Sequence, residues 1–442
     1  MPTDCNNPTV RFTPLSRREV LAQFDAGAIS SDGGMILLRE VDRRLNLLDR
    51  VNQLIPDPRD PLHIEHDQRT LLAQRVLAIA CGWEDLNDHA MLRNDLVLQL
   101  ASGRGGLDPK RPLASAPTLC RLENRIDRPA CVAINKLLVE LFIESHKTAP
   151  KEVVLDFDAT DDPVHGKQEG RFFHGYYDGY CFLPLYVFAG EQLLCAYLRP
   201  ADIDGAKHAW AILSLIVKRL RQAWPGVKII FRGDSGFCRW KMLRWCDRHG
   251  VDYVVGLAKN KVLEKRSADL TARAQEAFEQ TGRKQRLFGE FFYAAGTWDK
   301  QRRVIARIEH TDKGENPRFI VASLEGEGQQ LYEETYCGRG GVENRIKEQQ
   351  LGLFADRTSC HGFVANQFRL LLSSLAYVLI ETLRRTALAG TELAKAQVTT
   401  IRLRLLKIGA LVRHSVRRVV VHLSESFPMR ELFQTLAATL SG

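Results

Sequence analysis

From Glu152 the apolar residues stop recurring at helical spacing and alternate as they do in strands, and this change constrains the fold more than any other feature of the chain. Three β-rich runs, VVLDFDAT, YCFLPLYVFAG and QLLCAYLRP, are separated by turn-like stretches. A long amphipathic helix is predicted over 206–224. It is followed by a mostly apolar strand core, VKIIF (227–231), the turn RGDSGF, a helix near 239–249 and a strand, VDYVVGLA (251–258). Strand, strand, strand, helix, strand, helix, strand describes an α/β core with helices against a mixed sheet.

The flanking segments read differently. Residues 1–30 suit a short hairpin, and 34–99 carry a helical period through Leu37, Leu38, Val41 and Leu45, then Leu71, Leu72, Val76 and Ile79. The Gly/Pro-rich basic stretch 102–117 reads as a linker, and a helix follows with Ser115 as N-cap and Pro117 in its first turn. That helix carries Arg121, Asn124, Arg125 and Arg128, residue types that contact DNA and that serve equally as a solvated face. From 260 to 327 a polar helix and three strand-like runs interrupt the α/β rhythm as a β-rich insertion, before helical patterning returns near Leu331. The expected organisation is therefore a mainly helical 1–150, a core of 151–259 and 331–386, an insertion of 260–330 and a basic region, 387–442.

The formal charge of +9 suits a polyanionic partner but does not single one out. The longest apolar stretch, Leu370 to Ile380, is too short for a bilayer and reads as a buried helix. Ten cysteines without a C-x-x-C argue against zinc fingers and disulfide frameworks, and with no secretion-type N-terminus the expectation is reduced thiols in the cytoplasm. Between 401 and 418 stand Arg402, Arg404, Lys407, Arg413, Arg417 and Arg418 without an acid. They suit non-specific phosphate contact or the outward side of a hairpin.

Three acids stand where packing fixes direction. Asp158 closes the first strand; Asp156, two residues earlier, lies on the same face, so pattern does not choose between them. Asp234 leaves a buried strand into a turn between Gly233 and Gly236, where it is either a site residue or a turn-former bonding its own backbone. Glu343 follows Gly340-Gly341 at the start of a helix and shares a face with Lys347 and Gln350, while Glu348 is rotated away; an ordinary Glu–Lys pair has the same pattern. Rigidly held carboxylates are the hard oxygen ligands that divalent-metal phosphodiester chemistry requires.

Tyr336, Arg339 and Glu343 have the spacing Y-x2-R-x3-E within YCGRGGVE. With LDFDAT and FRGDSGF upstream, the chain resembles, over nearly its whole length, bacterial insertion-sequence transposases of the DDE type, whose pattern is Y-x2-R-x3-E-x6-K. The resemblance implies an RNase H-like core with a β-rich insertion between the second Asp and the Glu. It implies Asp158, Asp234 and Glu343 as catalytic ligands of two Mg²⁺ or Mn²⁺ ions, Asp158 being preferred to Asp156 because the motif aspartate stands two before a Thr, here Thr160. Tyr336 and Arg339 would hold phosphates. The position of the signature lysine is occupied by Gln350, a departure that leaves Lys347 as a substitute contact. Trp298 is a candidate for stacking on a flipped base, or a packed tryptophan. Arg121 and Arg125 are candidates for reading terminal inverted repeats. The implied activity is cleavage of element ends and joining of the 3′-hydroxyl to target DNA by a homodimer on paired ends. An RNase H-like nuclease without strand transfer and an inactive DNA-binding derivative are the competing readings.

Overall fold

The computed structural model describes residues 9–104, 106–108 and 110–441. By contact density the chain divides into two units, Asn124–Ser374 and a second formed by Met1–Glu123 with Leu375–Gly442.

The first unit is organised by one sheet. Its strands are β1 (Glu152–Ala159), β2 (Leu185–Ala189), β3 (Gln192–Tyr197), β4 (Lys228–Gly233), β5 (Asp252–Leu257), β6 (Gln285–Tyr293), β7 (Arg302–Thr311) and β8 (Gly314–Ala322). They lie in the order β6-β7-β8-β5-β4-β1-β2-β3. β1, β4 and β5 run parallel, and the remaining neighbours pair antiparallel. The first five strands thus stand in the order 3-2-1-4-5, the RNase H-like arrangement. The stretch 260–330 does not make a separate sheet. Its strands extend the core sheet because β8 pairs along β5, from Val254↔Ala322 to Leu257↔Phe319.

Alternation along these strands separates the two faces. Leu155, Phe157, Ile229, Phe231, Val255 and Val321 point into one apolar cluster. Ile230, Val254, Ile320 and Ala322 point to the other side, where Leu331 and Tyr332 cover them. Asp156 and Asp158 share that second face with Val154. Burying side chains such as Leu155, Phe157 and Phe231 completely contributes about 1.5–3 kcal/mol each. The helices α1 (Arg128–Glu144) and α2 (Ala209–Ala223) pack on the first cluster. Asp127 caps α1, accepting from Ala130 N at 2.9 Å, and Pro129 stands in its first turn. α3 (Trp240–Arg248) joins β4 to β5, and α4 (Ala268–Thr281) lies on β6 and β7. α5 (Gly340–Lys347) carries the third acid. The helix α6 (Phe363–Thr386), whose residues up to Ser374 belong to this unit, is long and apolar enough to cross a membrane by composition, but 89% of that window is buried in the protein. Gln367 on α6 accepts from Leu198 N and donates to Ala196 O, satisfying the end of edge strand β3.

The run YCFLPLYVFAG is two strands rather than one. Pro184 offers no N–H, and the chain breaks there between Gly179–Phe182 and β2. Gly179–Phe182 belongs to a small three-stranded sheet with Asp162–Pro163 and Phe172–His174, which pattern reading did not anticipate.

The second unit unites both ends of the chain. The hairpin Ala410–His414 and Val419–Leu423 pairs with Ile29–Ser30. Arg44 reaches the carbonyl of Leu440 at 2.7 Å. The 102–117 stretch is no free linker: buried Gln74 donates to Ala114 O and accepts from Ala114 N. Arg75 and Glu123, 1% and 0% exposed, form a buried ion pair at 2.9 Å. The basic tail is partly structural. Arg402 is buried and donates to Ala80 O, and Lys407 pairs with Asp32 over the Trp83 ring. Arg404 pairs with Glu392.

Candidate active site

Asp158 ends β1 with 8% exposure, and one of its oxygens accepts from Arg339 Nη1 at 3.1 Å. The same guanidinium donates from Nη2 to Glu343 Oε1 at 2.7 Å. One arginine therefore bridges the acid at the end of β1 and the acid on α5, 185 residues apart by the numbering of Asp158 and Glu343. Burial pushes the Asp158 carboxyl up to about 7; Arg339 opposes that rise, and the charges of Asp234 and Glu343 add to it. Asp158, Asp234 and Glu343 thus share one electrostatic environment with Arg339 among them.

Asp234 stands just past β4. It caps the single turn Ser235–Phe237, its Oδ1 accepting from Gly236 N at 2.8 Å. One oxygen therefore makes the turn at the strand end, the bond that the turn-forming reading expects. Opposite it, β5 has Gly256, where a Cβ would come within 2.7 Å of both Ser235 N and the Tyr336 hydroxyl. The missing side chain lets the Asp234 turn and the Tyr336 phenol meet over β5.

Asp156, indistinguishable from Asp158 by pattern, is taken up elsewhere. It is 1% exposed, and its two oxygens accept from Nε and Nη2 of Arg232, its cross-strand neighbour on β4. Arg232 Nη1 donates to the carbonyl of Thr335, one residue before Tyr336. Gly338 provides the clearance, because a Cβ there would lie 2.7 Å from Arg232 Nη1. The pair ties the sheet to the segment that carries Tyr336, Arg339 and Glu343. That segment is wound irregularly, as a π turn (Leu331–Tyr336), a 3-10 turn (Cys337–Arg339), α5 and a second π turn (Glu348–Gly352). Such irregular turns concentrate at functional sites.

Replacing Arg232 by Met alone leaves Asp156 buried and unpaired, with an expected loss of about 3–5 kcal/mol in denaturant unfolding. Combining Arg232→Met with Asp156→Leu is expected to recover most of that stability. Tryptic cleavage of the Tyr336–Glu343 segment should nevertheless be faster than in wild type, because the tie from Arg232 to Thr335 is lost. Wild-type protection together with recovered stability would show that the pair only neutralises itself.

The other expected contacts fall in several places. Tyr336 is half-buried against Tyr332, with ring centroids 5.4 Å apart. Lys347 is exposed on α5. Gln350 faces inward, donating to Asp161 O and to Oδ1 of buried Asp162, both at 2.9 Å. The position of the signature lysine thus holds the loop that follows Asp158 instead of facing outward. Trp298 packs against Tyr293 and under Arg302, with the cluster on the face of the sheet opposite Asp158, so its place is that of a packed tryptophan. Arg121 is exposed and donates to Thr118 Oγ1; Arg125, in the last turn of the same helix, is partly buried. A cavity of about 340 Å³ adjoins Asp234, lined by Ser235, Lys259, Arg318, Tyr332 and Tyr336. Sequence reading missed Arg232, Gly256, Lys259 and Arg318. The only local signals for them were a charge inside an apolar strand and a glycine inside another.

Among the described residues no group of three His, Cys, Asp or Glu side chains is closed up enough to hold a metal ion. The expected triad of ligands is therefore not assembled here. The donor set itself fits a hard divalent cation, being three carboxylates without a thiolate or imidazole among them.

The RNase H-like sheet thus carries acids at the ends of β1 and β4, with a third acid on α5. The family model described as transposase DDE domain, group 1, matches residues 12–442, and the chain belongs to that family. Among solved structures the chain is similar to a piggyBac transposase synaptic complex with hairpin DNA, determined by cryo-EM. The match has 10% identity, covers 93% of this chain and 81% of that one, and has a TM-score of 0.40. No curated protein matches the sequence.

Proposed function

We propose that this transposase binds the terminal inverted repeats of an insertion sequence, cuts the DNA at its ends and joins the freed 3′-hydroxyl to target DNA. The observation that carries the reading is Arg339 bridging Asp158 and Glu343, with the charge of Asp234 acting on Asp158 and Arg339, in a chain of the DDE family. Asp158, Asp234 and Glu343 would hold two Mg²⁺ or Mn²⁺ ions, which supply activation of the attacking oxygen and stabilisation of the leaving one. Arg339, freed from the carboxylates, can grip the phosphate bidentately, as a guanidinium fork does. Tyr336, Lys259 and Arg318 line the cavity beside Asp234 and offer one hydroxyl and two cations to the adjoining strand. Lys347 adds an exposed charge on α5. Arg413, Arg417 and Arg418 remain on the tail for non-specific phosphate contact. The working form on paired ends is a homodimer.

Incubating the purified protein with an end-bearing donor, a target plasmid and Mg²⁺ tests this. The expected product is donor covalently joined to target. Nicked or linear donor without joined strands would instead establish a nuclease that lacks strand transfer.

A further inference from the structure

The small sheet formed by Asp162–Pro163, Phe172–His174 and Gly179–Phe182 has no role in the chemistry described so far, yet it begins four residues past Asp158. Its surface is unusual for a segment of about twenty residues. Phe172 is 41% exposed, Phe173 54%, Tyr180 50% and Tyr176 86%. Phe173 and Tyr180 are cross-strand partners, with ring centroids 5.8 Å apart. Arg171, two residues before Phe173 and so on the same side, lays its guanidinium 4.5 Å from the Tyr180 ring centre. Tyr176 and Tyr177 meet edge to face at 5.0 Å. Tyr177 also connects the patch to the carboxylates: burial raises its hydroxyl to about 12, and Asp161, Asp158 and Asp234 contribute through their charges.

Exposed aromatic rings cost solubility and are kept where something covers them. The charges here are mixed, with Lys167 and Arg171 against Glu169 and Asp178, so the surface is not a plain phosphate-binding patch. Ring faces beside a guanidinium, next to carboxylates that act on DNA, match the chemistry of unpaired bases, which stack on aromatic side chains whatever their sequence.

We propose that Phe173, Tyr180 and Arg171 form a stacking platform for unpaired bases of the DNA strand at the cut, a substrate-binding surface that rests on the transposase reading above. Two or three nucleotides separated from their complement near the scissile phosphate would lie on this sheet. Stacking would hold them, and Arg171 would contribute a cation–π contact and a phosphate contact. The platform explains why so short a segment departs from β1 directly after Asp158 before the chain returns to β2.

The test uses the full-length protein and two fluorescent DNA probes, a blunt duplex and the same duplex with a single-stranded oligo-dT tail. Anisotropy should show tighter binding of the tailed probe by wild type. Phe173→Ala and Tyr180→Ala should each remove at least about fivefold of that preference, the lower end of base–aromatic stacking. Phe173→Trp should keep it, and blunt-duplex binding should not change. Both alanine changes are at exposed positions, so unchanged melting temperatures separate lost contact from lost fold. Equal affinity of wild type and alanine variants for the tail, while wild type still cuts DNA, overturns the platform and leaves the transposase reading intact. Wild type that neither binds nor cuts DNA removes the reading beneath it. A change of oligomeric state in Phe173→Ala, seen by light scattering, would assign the patch to a protein interface and overturn the proposal as well.

Discussion

Alanine at Asp158, Asp234 or Glu343 is expected to lower DNA cleavage at least about a thousandfold while leaving binding of element ends nearly unchanged. The magnitude follows from the role assigned to these side chains. Holding metal ions against developing charge is worth several kcal/mol, and about 4 kcal/mol of barrier is a thousandfold in rate. The separation of cleavage from binding follows from geometry. The three acids stand at strand and helix ends: Glu343 is exposed, Asp234 Oδ1 accepts from Gly236 in its own turn, and Asp158 and Glu343 share Arg339. Asp156→Asn is the control. Its carboxylate serves Arg232, so its loss should be felt in stability and in the placement of Thr335 without removing a ligand. Gel-based cleavage and mobility-shift assays on the four variants check the pattern. Loss of end binding in all three, with the fold intact, would contradict the ligand assignment.

The second large effect is expected at Arg339. In this structure its guanidinium is the shared counterion of Asp158 and Glu343. Arg339→Ala should slow cleavage by about 10²–10³, the usual cost of deleting one aligned charge-stabilising donor. Arg339→Lys should recover little, because an ammonium cannot span two carboxylates or grip a phosphate with a planar fork. The variant should also shift the pH dependence in a fixed direction. Burial raises the Asp158 carboxyl to about 7, and Arg339 is the largest influence holding it down. Without Arg339 the carboxyl rises further, and less of it is ionised at neutral pH. In the metal-free protein the titration of the Asp158 carboxyl, followed by NMR, should therefore move to higher pH in Arg339→Ala. An unmoved titration would mean that Arg339 acts on DNA alone and not on the acids.

The strand and helix pattern from 152 to 258 was legible because it depends on local periodicity: VKIIF alternates between two apolar clusters, and AKHAWAILSLIVKRLRQAW buries one helical stripe. The pairing of β8 with β5 was not legible, since strand neighbours distant in sequence leave no local mark. The strands of 285–322 accordingly looked like a domain of their own. The choice between Asp156 and Asp158 could not be made from alternation, which puts both on one face. Arg232, 76 positions further on, pairs with Asp156, and Arg339 pairs with Asp158, contacts that alternation cannot show. Gln350 shows the same limit. Its departure from the lysine of the signature is visible in the sequence, but its inward bond to Asp162 depends on where the loop after β1 returns. Gly256 stands inside the strand run VDYVVGLA and Gly338 inside YCGRGGVE, and only the neighbouring atoms show that each makes room for one particular contact.

On the proposed reading, Asp158, Asp234 and Glu343 together form one divalent-metal site once Arg339 releases Asp158 and Glu343. Mn²⁺ binding followed by electron paramagnetic resonance tests it most directly, with the full-length protein bound to a DNA end and with the Asp158→Ala, Asp234→Ala and Glu343→Ala variants. Saturable binding by wild type that is weakened at least about tenfold in each single variant is the predicted result. Variants that take up Mn²⁺ as tightly as wild type would place the metal elsewhere and contradict the account.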